Sequence, residues 1–230
     1  MKLKGLILSG FAFLIGNTYA MELNIVTVEQ PEYHQVLKTK SRLVDFPLKK
    51  EDRELIEAMK TRLIKLGGVG LAAPQVNQAK QIIAIYIPEE ARLLRDNVER
   101  TYPIHIMLNP SYEPVNPKQK QADFEGCYSV SSKAGKVPRY TKIKLTWFDE
   151  LGKQHSGIEQ GFYARVLQHE IDHLNGTLII DQLTPECVQG TPAEMFAMRR
   201  AELSEEKRIL FDKVMARKNL IGIHSKSNEA

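Results

Sequence analysis

The sequence predicts a single α+β domain, and three observations carry that expectation. Helical and strand-like periodicities both occur along the chain. No Pro-, Gly- or Ser-rich linker divides it after residue 20. Its 230 residues, 43% apolar and 26% charged, suit one buried core rather than disorder. A net charge of +4, with no long basic run, gives no sign of nucleic-acid binding. Two cysteines cannot form a disulfide framework, so packing has to stabilise the fold.

Residues 1–20 stand apart. Lys2 and Lys4 precede an apolar stretch from Gly5 to Gly16, followed by Asn17-Thr18-Tyr19-Ala20, the layout of a secretory signal peptide cut after Ala20. The apolar stretch is shorter than the roughly 18–20 residues a membrane-spanning helix needs, so no stable membrane span is expected. If translation starts instead at Met21, the protein is cytoplasmic; a working signal would place it in the bacterial periplasm. The remaining chain is expected to divide into one main domain over 21–190 and a C-terminal helix and tail over 191–230.

Residues 21–47 mix short apolar runs with polar and proline breaks and are expected to wrap the domain. From Leu48 to Leu66 the pattern is helical: Leu55, Met59 and Leu63 recur every four residues, and Gly67-Gly68 stops the helix. A small-residue segment, GGVGLAAPQV, follows. Gln81–Ile87 and Ile104–Leu108 read as strands around a charged surface excursion bounded by Pro88 and Pro103. Lys142–Phe148 is a strand with a partner near Gln154–Ile158. Phe162–Leu174 is a helix closed by Asn175-Gly176, and Pro192–Lys218 is a terminal helix without internal Pro or Gly.

The chemistry centres on His169-Glu170-Ile171-Asp172-His173, an H-E-x-x-H sequence. Residues four apart share a helix face, so both imidazoles can reach one metal ion, and Glu170 beside them can take a proton from water. A catalytic site then needs a third ligand. A histidine six residues on is excluded, because Ile179 stands there. Glu194 lies at a usable distance, although Pro185 and Pro192 interrupt the helices such a site would need. Cys127, in Glu125-Gly126-Cys127-Tyr128-Ser129, is the other candidate, and a Cys-His-His set leaves one position open.

Three segments together, GVGLAAPQ (Gly68–Gln75), EGCYS (Glu125–Ser129) and QHEIDHLNG (Gln168–Gly176), resemble the three signature segments of the peptide deformylases, in that family's order. The resemblance runs from about Asn24 to Leu183. It is similar in particular to the mitochondrial-type branch, which also has bacterial members, through Val137-Pro138-Arg139, Ala164-Arg165 and the charged excursion. It implies a peptide deformylase-like fold, with mostly antiparallel or mixed sheets packed around a central metal-bearing helix. It also implies removal of the formyl group from N-formylmethionyl peptides. Cys127, His169 and His173 would bind one divalent metal, Fe²⁺ foremost, with Zn²⁺, Ni²⁺ or Co²⁺ able to take its place. Glu170 would be general base and then general acid. The Gln75 side chain and the Tyr128 backbone N–H would stabilise the oxyanion, and Val69, Gly70 and Leu71 would line the peptide cleft.

Phe162, Arg165 and Val166, one turn before His169, are candidates for the pocket that takes the methionine side chain. Asp172, Glu125 and Arg139 are expected to support the ligands as a charged network, because a metal-bound histidine needs a partner on its second ring nitrogen. The chain departs from the family where Tyr128 replaces a common leucine and where Val130–Ala134 lacks the usual Ile-Pro and Arg. If the enzyme works in the cytoplasm, the ribosome is an expected partner. The competing readings are another exported metal-dependent peptidase or amidohydrolase, and a catalytically silent metal- or peptide-binding protein on the same fold.

Overall fold

The computed structural model describes residues 21–222; the signal-like segment 1–20 lies outside the described residues. After α1 (His34–Lys38), the predicted amphipathic helix forms as α2 (Lys50–Leu66). Leu55, Ile56, Met59 and Leu63 are buried along one stripe, and Gly67 ends the helix in the left-handed region at φ 59°. Then come β1 (Gly70–Ala72), a 3₁₀ turn over Ala73–Val76, β2 (Ile82–Ile87), α3 (Glu89–Leu94) and β3 (Tyr102–Pro114). The chain continues through β4 (Lys120–Cys127), β5 (Val130–Tyr140), β6 (Lys142–Phe148) and β7 (Gln154–Gln160) into α4 (Gly161–Leu174). It ends with α5 (Ile179–Gln182), β8 (Gln189–Gly190), α6 (Pro192–Ala201) and α7 (Glu205–Gly222).

Two antiparallel sheets result, one ordered β1-β2-β3-β6-β7 and the other β4-β5-β8. Strand β2 explains how the first is layered. Its side chains alternate faces, so Ile82 and Ala84 join the core under α2, while Ile83, Ile85 and Ile87 join the core around α4. A strand covered on both faces has to read as the continuous apolar run it is. Helix α4 is buried nearly all round, with Ala164, Leu167, Ile171 and Leu174 packed against the large sheet. On its other side the Gln168 amide forms a two-way bond with the Tyr140 backbone, at 2.9 Å each way, and so docks α4 on β5. The H-E-x-x-H helix is therefore wedged between the two sheets.

The structure departs from the sequence expectation in three places. Strand β3 is thirteen residues long instead of five, because a shift in register lets its polar second half pair with β6. The hairpin β4–β5 is absent from the sequence expectation, since its buried positions, Phe124 on β4 and Val130, Ala134, Gly135, Val137 and Arg139 on β5, are interrupted by exposed polar ones and present no apolar run. The terminal helix breaks at Glu202–Ser204 into α6 and α7. No described helix is long and apolar enough to cross a membrane.

Candidate active site

Each of the three signature segments becomes one wall of a common site. The tight Tyr128-Ser129 turn between β4 and β5 presents Cys127, the outward face of α4 toward that turn presents His169, Glu170 and His173, and the 3₁₀ turn after β1 presents Gln75. One ligand atom from each of Cys127, His169 and His173 can be chosen so that all lie within 4.8 Å of one another. The Cys127 sulfur is 3.3 Å from His173 Nε2. It also faces the Gln75 side-chain amide nitrogen at 3.6 Å and the Ser129 backbone N–H at 3.4 Å. Gln75 is buried, and its Oε1 accepts the Ala72 N–H at 2.9 Å, which turns the amide N–H toward the sulfur. Glu194, the other candidate ligand, is elsewhere: it caps the start of α6 through Thr191.

Behind the histidines the expected network of Glu125, Arg139 and Asp172 is in place. Glu125 takes Arg139 Nε at 3.0 Å and Nη2 at 2.9 Å, and His169 Nδ1 at 3.0 Å. Arg139 also pairs with Asp172. Burial alone would raise the Glu125 carboxyl, but Arg139 and His169 hold it well below the usual carboxylate range. Glu125 thereby fixes His169 through Nδ1 and leaves its Nε2 for the cluster.

Arg165 is part of this network. Its guanidinium bonds Glu125 at 2.7 Å and the Val137 and Gln121 carbonyls at 2.8 and 2.5 Å. Phe162 and Val166 are buried in the core around α4, and Arg95 stacks 4.4 Å above the Phe162 ring. Sequence reasoning missed Arg95, whose charge also meets Asp123 at 2.5 Å. It also missed the docking role of Gln168. The only sequence signal for either was position, beside a proline-bounded excursion and beside the motif.

The general-base candidate is set close against the backbone. A Cβ on Gly70 would sit 2.2 Å from Glu170 Oε1, so only glycine lets β1 approach this carboxylate. Burial pushes the Glu170 pKa up to about 7, with His169 opposing and Glu125 adding to the rise. Its Oε2 and His173 Nδ1 are buried without a hydrogen-bond partner among the described residues. Burial drives His173 well below its ordinary value; it opposes charge on His169 too, but Cys127 and Glu125 outweigh it there. Strand β1 is an edge strand, and the Val69 carbonyl accepts from Tyr86 at 2.9 Å on its inner side. Gly70 and Leu71 are buried along that edge. The Tyr128 ring lies across Gly68, where a Cβ would meet its hydroxyl at 2.9 Å, and the hydroxyl donates to the Leu66 carbonyl at 3.1 Å.

A thiol and two imidazoles on one small patch, one imidazole already oriented by a carboxylate, fit a divalent transition-metal ion. With a carboxylate beside them on a buried helix, fold and site together define a metal-dependent amide hydrolase.

Comparison with known proteins names the family. The polypeptide deformylase family model matches residues 22–189. Peptide deformylase 2 of Rickettsia conorii is 37% identical over 187 residues, which cover 80% of this chain and 91% of that protein. The peptide deformylase of Ligilactobacillus salivarius is 34% identical over 164 residues, covering 65% and 86%. Among solved structures, the class I type b peptide deformylase of Acinetobacter baumannii with Met-Ala-Ser bound matches with a TM-score of 0.61 and 27% identity, over 71% of this chain and 99% of that one. A probable peptide deformylase from Synechococcus phage S-SSM7 matches with a TM-score of 0.58 and 36% identity, over 70% and 100%. The chain belongs to the polypeptide deformylase family. It is a metal-dependent hydrolase that removes the N-terminal formyl group from N-formylmethionyl peptides and releases formate, which displaces both competing readings.

Proposed function

We propose that Cys127, His169 and His173 hold the metal of this deformylase, that Fe²⁺ is the ion it uses, and that Glu170 moves the proton. The observation that carries this reading is the convergence of the three ligand atoms within 4.8 Å beside a buried glutamate. The bound metal supplies Lewis acidity and a nucleophile at neutral pH.

The remaining work falls to the chain's own groups. The unpaired outer edge of Val69–Leu71 is suited to take the formyl peptide as an added strand. Gly70 lies at Glu170, so the formyl amide belongs there. Attack on the formyl carbon places negative charge on its oxygen. The Gln75 amide N–H and the Tyr128 backbone N–H are the donors for that charge. Glu170, whose pKa burial pushes up to about 7, accepts a proton from the attacking water at Oε1 or Oε2 and returns it to the amine nitrogen as the C–N bond breaks. Formate and a peptide with a free amino terminus leave.

The test is formate release from N-formyl-Met-Ala-Ser by the purified full-length chain loaded anaerobically with Fe²⁺. Release well above a Glu170→Ala control is expected. Release no greater than that control overturns the assignment.

A further inference from the structure

The two oxyanion donors assigned above sit on different elements of different sheets. Gln75 follows β1 of the large sheet, and Tyr128 lies in the turn of the β4–β5 hairpin. Such donors act only if they converge on one oxygen, and a misplacement of about 1 Å can cost on the order of 10²-fold in rate. Something has to hold the two elements at a fixed separation.

The N-terminal segment does this. The Val26 N–H donates to the Gln75 carbonyl at 2.9 Å, and the Val28 N–H donates to the Ser129 carbonyl at 2.9 Å. Two residues of extended chain span about 7 Å, so one i, i+2 step of backbone bridges the two donor-bearing turns. The bridge is itself secured. Val26 is buried, His34 Nε2 meets the Val28 carbonyl at 2.6 Å, and one carboxylate oxygen of Glu29 accepts from the Ser131 and Ser132 N–H groups at 2.9 and 3.0 Å. Glu29 is exposed and has no place in the core, so these hydrogen bonds are its main contribution. Burial would raise its carboxyl, but hydrogen bonding, led by the Ser132 side chain and joined by the Glu29 and Ser132 backbone N–H groups, brings it down to about 2, so it stays ionised at neutral pH.

We propose that residues Val26–Glu29 are a ruler that sets the spacing of the two oxyanion donors, and that Glu29 is a positioning residue acting through the turn after Cys127. The proposal rests on the roles given above to Gln75 and Tyr128. It assigns catalytic weight to a segment outside all three signature motifs.

The test compares Glu29→Ala and Glu29→Gln with the unaltered full-length chain. Formate release is followed by steady-state kinetics with metal content measured, and backbone amide exchange at Ser129, Ser131 and Ser132 is followed without metal. Glu29→Ala is expected to lower kcat about tenfold. KM and metal content should stay unchanged, and the three amides should exchange faster. Glu29→Gln, which keeps an acceptor oxygen, is expected to recover most of both. A wild-type kcat in Glu29→Ala overturns the proposal, as does a loss that follows KM or metal content, or failure of Glu29→Gln to recover. If the unaltered chain releases no formate, the functional reading fails on its own. The exchange rates then still decide on the ruler: unchanged protection of Ser129, Ser131 and Ser132 in Glu29→Ala rejects it.

Discussion

The rear and the front of the site differ in how they use polar groups. Behind His169, four charged side chains are fully committed to each other: Glu125, Arg139, Asp172 and Arg165 are buried, and each has charged partners. In front, Glu170 Oε2 is just as deeply buried and has no hydrogen-bond partner among the described residues, and the Gln75 side-chain N–H reaches only a sulfur at 3.6 Å. Saturated pairing makes a rigid backing, which suits holding ligands in one geometry. Unspent hydrogen-bonding capacity is costly to fold around, and it is worth keeping only where a substrate or an ion will use it.

Substitutions in front should therefore act mainly on chemistry, while substitutions behind should cost stability and reach the chemistry only through the metal ligands. The largest effect is expected within the cluster itself. Glu170→Ala should keep the metal and lose about 10²–10⁴ in kcat, whereas Cys127→Ala should lose metal and activity together. Metal analysis beside formate release separates the two. Normal metal content and turnover in Cys127→Ala would show that the ligand set is wrongly drawn.

The rear comes next. Glu125→Ala leaves the Arg139 and Arg165 guanidinium groups buried with fewer partners. Breaking one side of a buried ion network typically costs about 3–5 kcal/mol of stability, and losing the carboxylate behind a histidine ligand weakens metal binding about 10–100-fold. Thermal unfolding and a metal titration check both. A variant of unchanged stability would mean that the network is not the rigid backing described here.

Gln75→Ala returns to the front with a smaller expected loss, about 10²–10³ in kcat, and about 1–3 kcal/mol of stability, because the buried Ala72 N–H loses its acceptor. An equal rise in KM with kcat intact would make Gln75 a binding residue only.

The same contrast explains how much the sequence revealed. Helix α2 is legible because its burial repeats with the helical period, α4 because an unbroken run from Phe162 without Pro or Gly is closed by Asn175-Gly176, and β2 because a doubly covered strand is a continuous apolar run. The hairpin that carries Cys127 escapes notice because burial along β4 is partial and interrupted; Phe124 alone is fully buried there. Cys127 therefore entered the reading through the motif and not through any secondary-structure pattern. For Arg165, helix spacing tells which residues share a turn, not that its guanidinium meets a carboxylate 40 positions away in sequence. The ruler at Val26–Glu29 is invisible in the sequence for a related reason. Four of the five hydrogen bonds named for it are donated by backbone N–H groups, from Val26 and Val28 or from Ser131 and Ser132 opposite, which no side-chain pattern encodes.

The smallest effect is expected where a charge pair resembles the rear network in distance but not in setting. Asp52 and Lys80 join the start of α2 to the residues before β2 at 2.5 Å. The Asp52 carboxyl is raised by burial but lowered further by Lys80, so its pKa in the fold lies below the ordinary 3.8. A depressed acid stabilises the fold at pH values above its unfolded pKa, and that contribution fades as the pH falls through the folded value. Asp52→Asn should thus lower Tm at pH 7 and make little difference under strongly acidic conditions. Unlike Glu125, Asp52 answers to a single lysine and to the Lys49 backbone N–H, with both side chains of the pair largely buried; losing a hydrogen bond to a charged group costs about 1.5–3 kcal/mol, less than breaking the rear network. Added salt should shrink the difference further, while the penalty for Glu125→Ala should persist. A salt-resistant loss at Asp52 as large as that at Glu125 would erase the distinction between paired charges that back the site and paired charges that only tie down a helix.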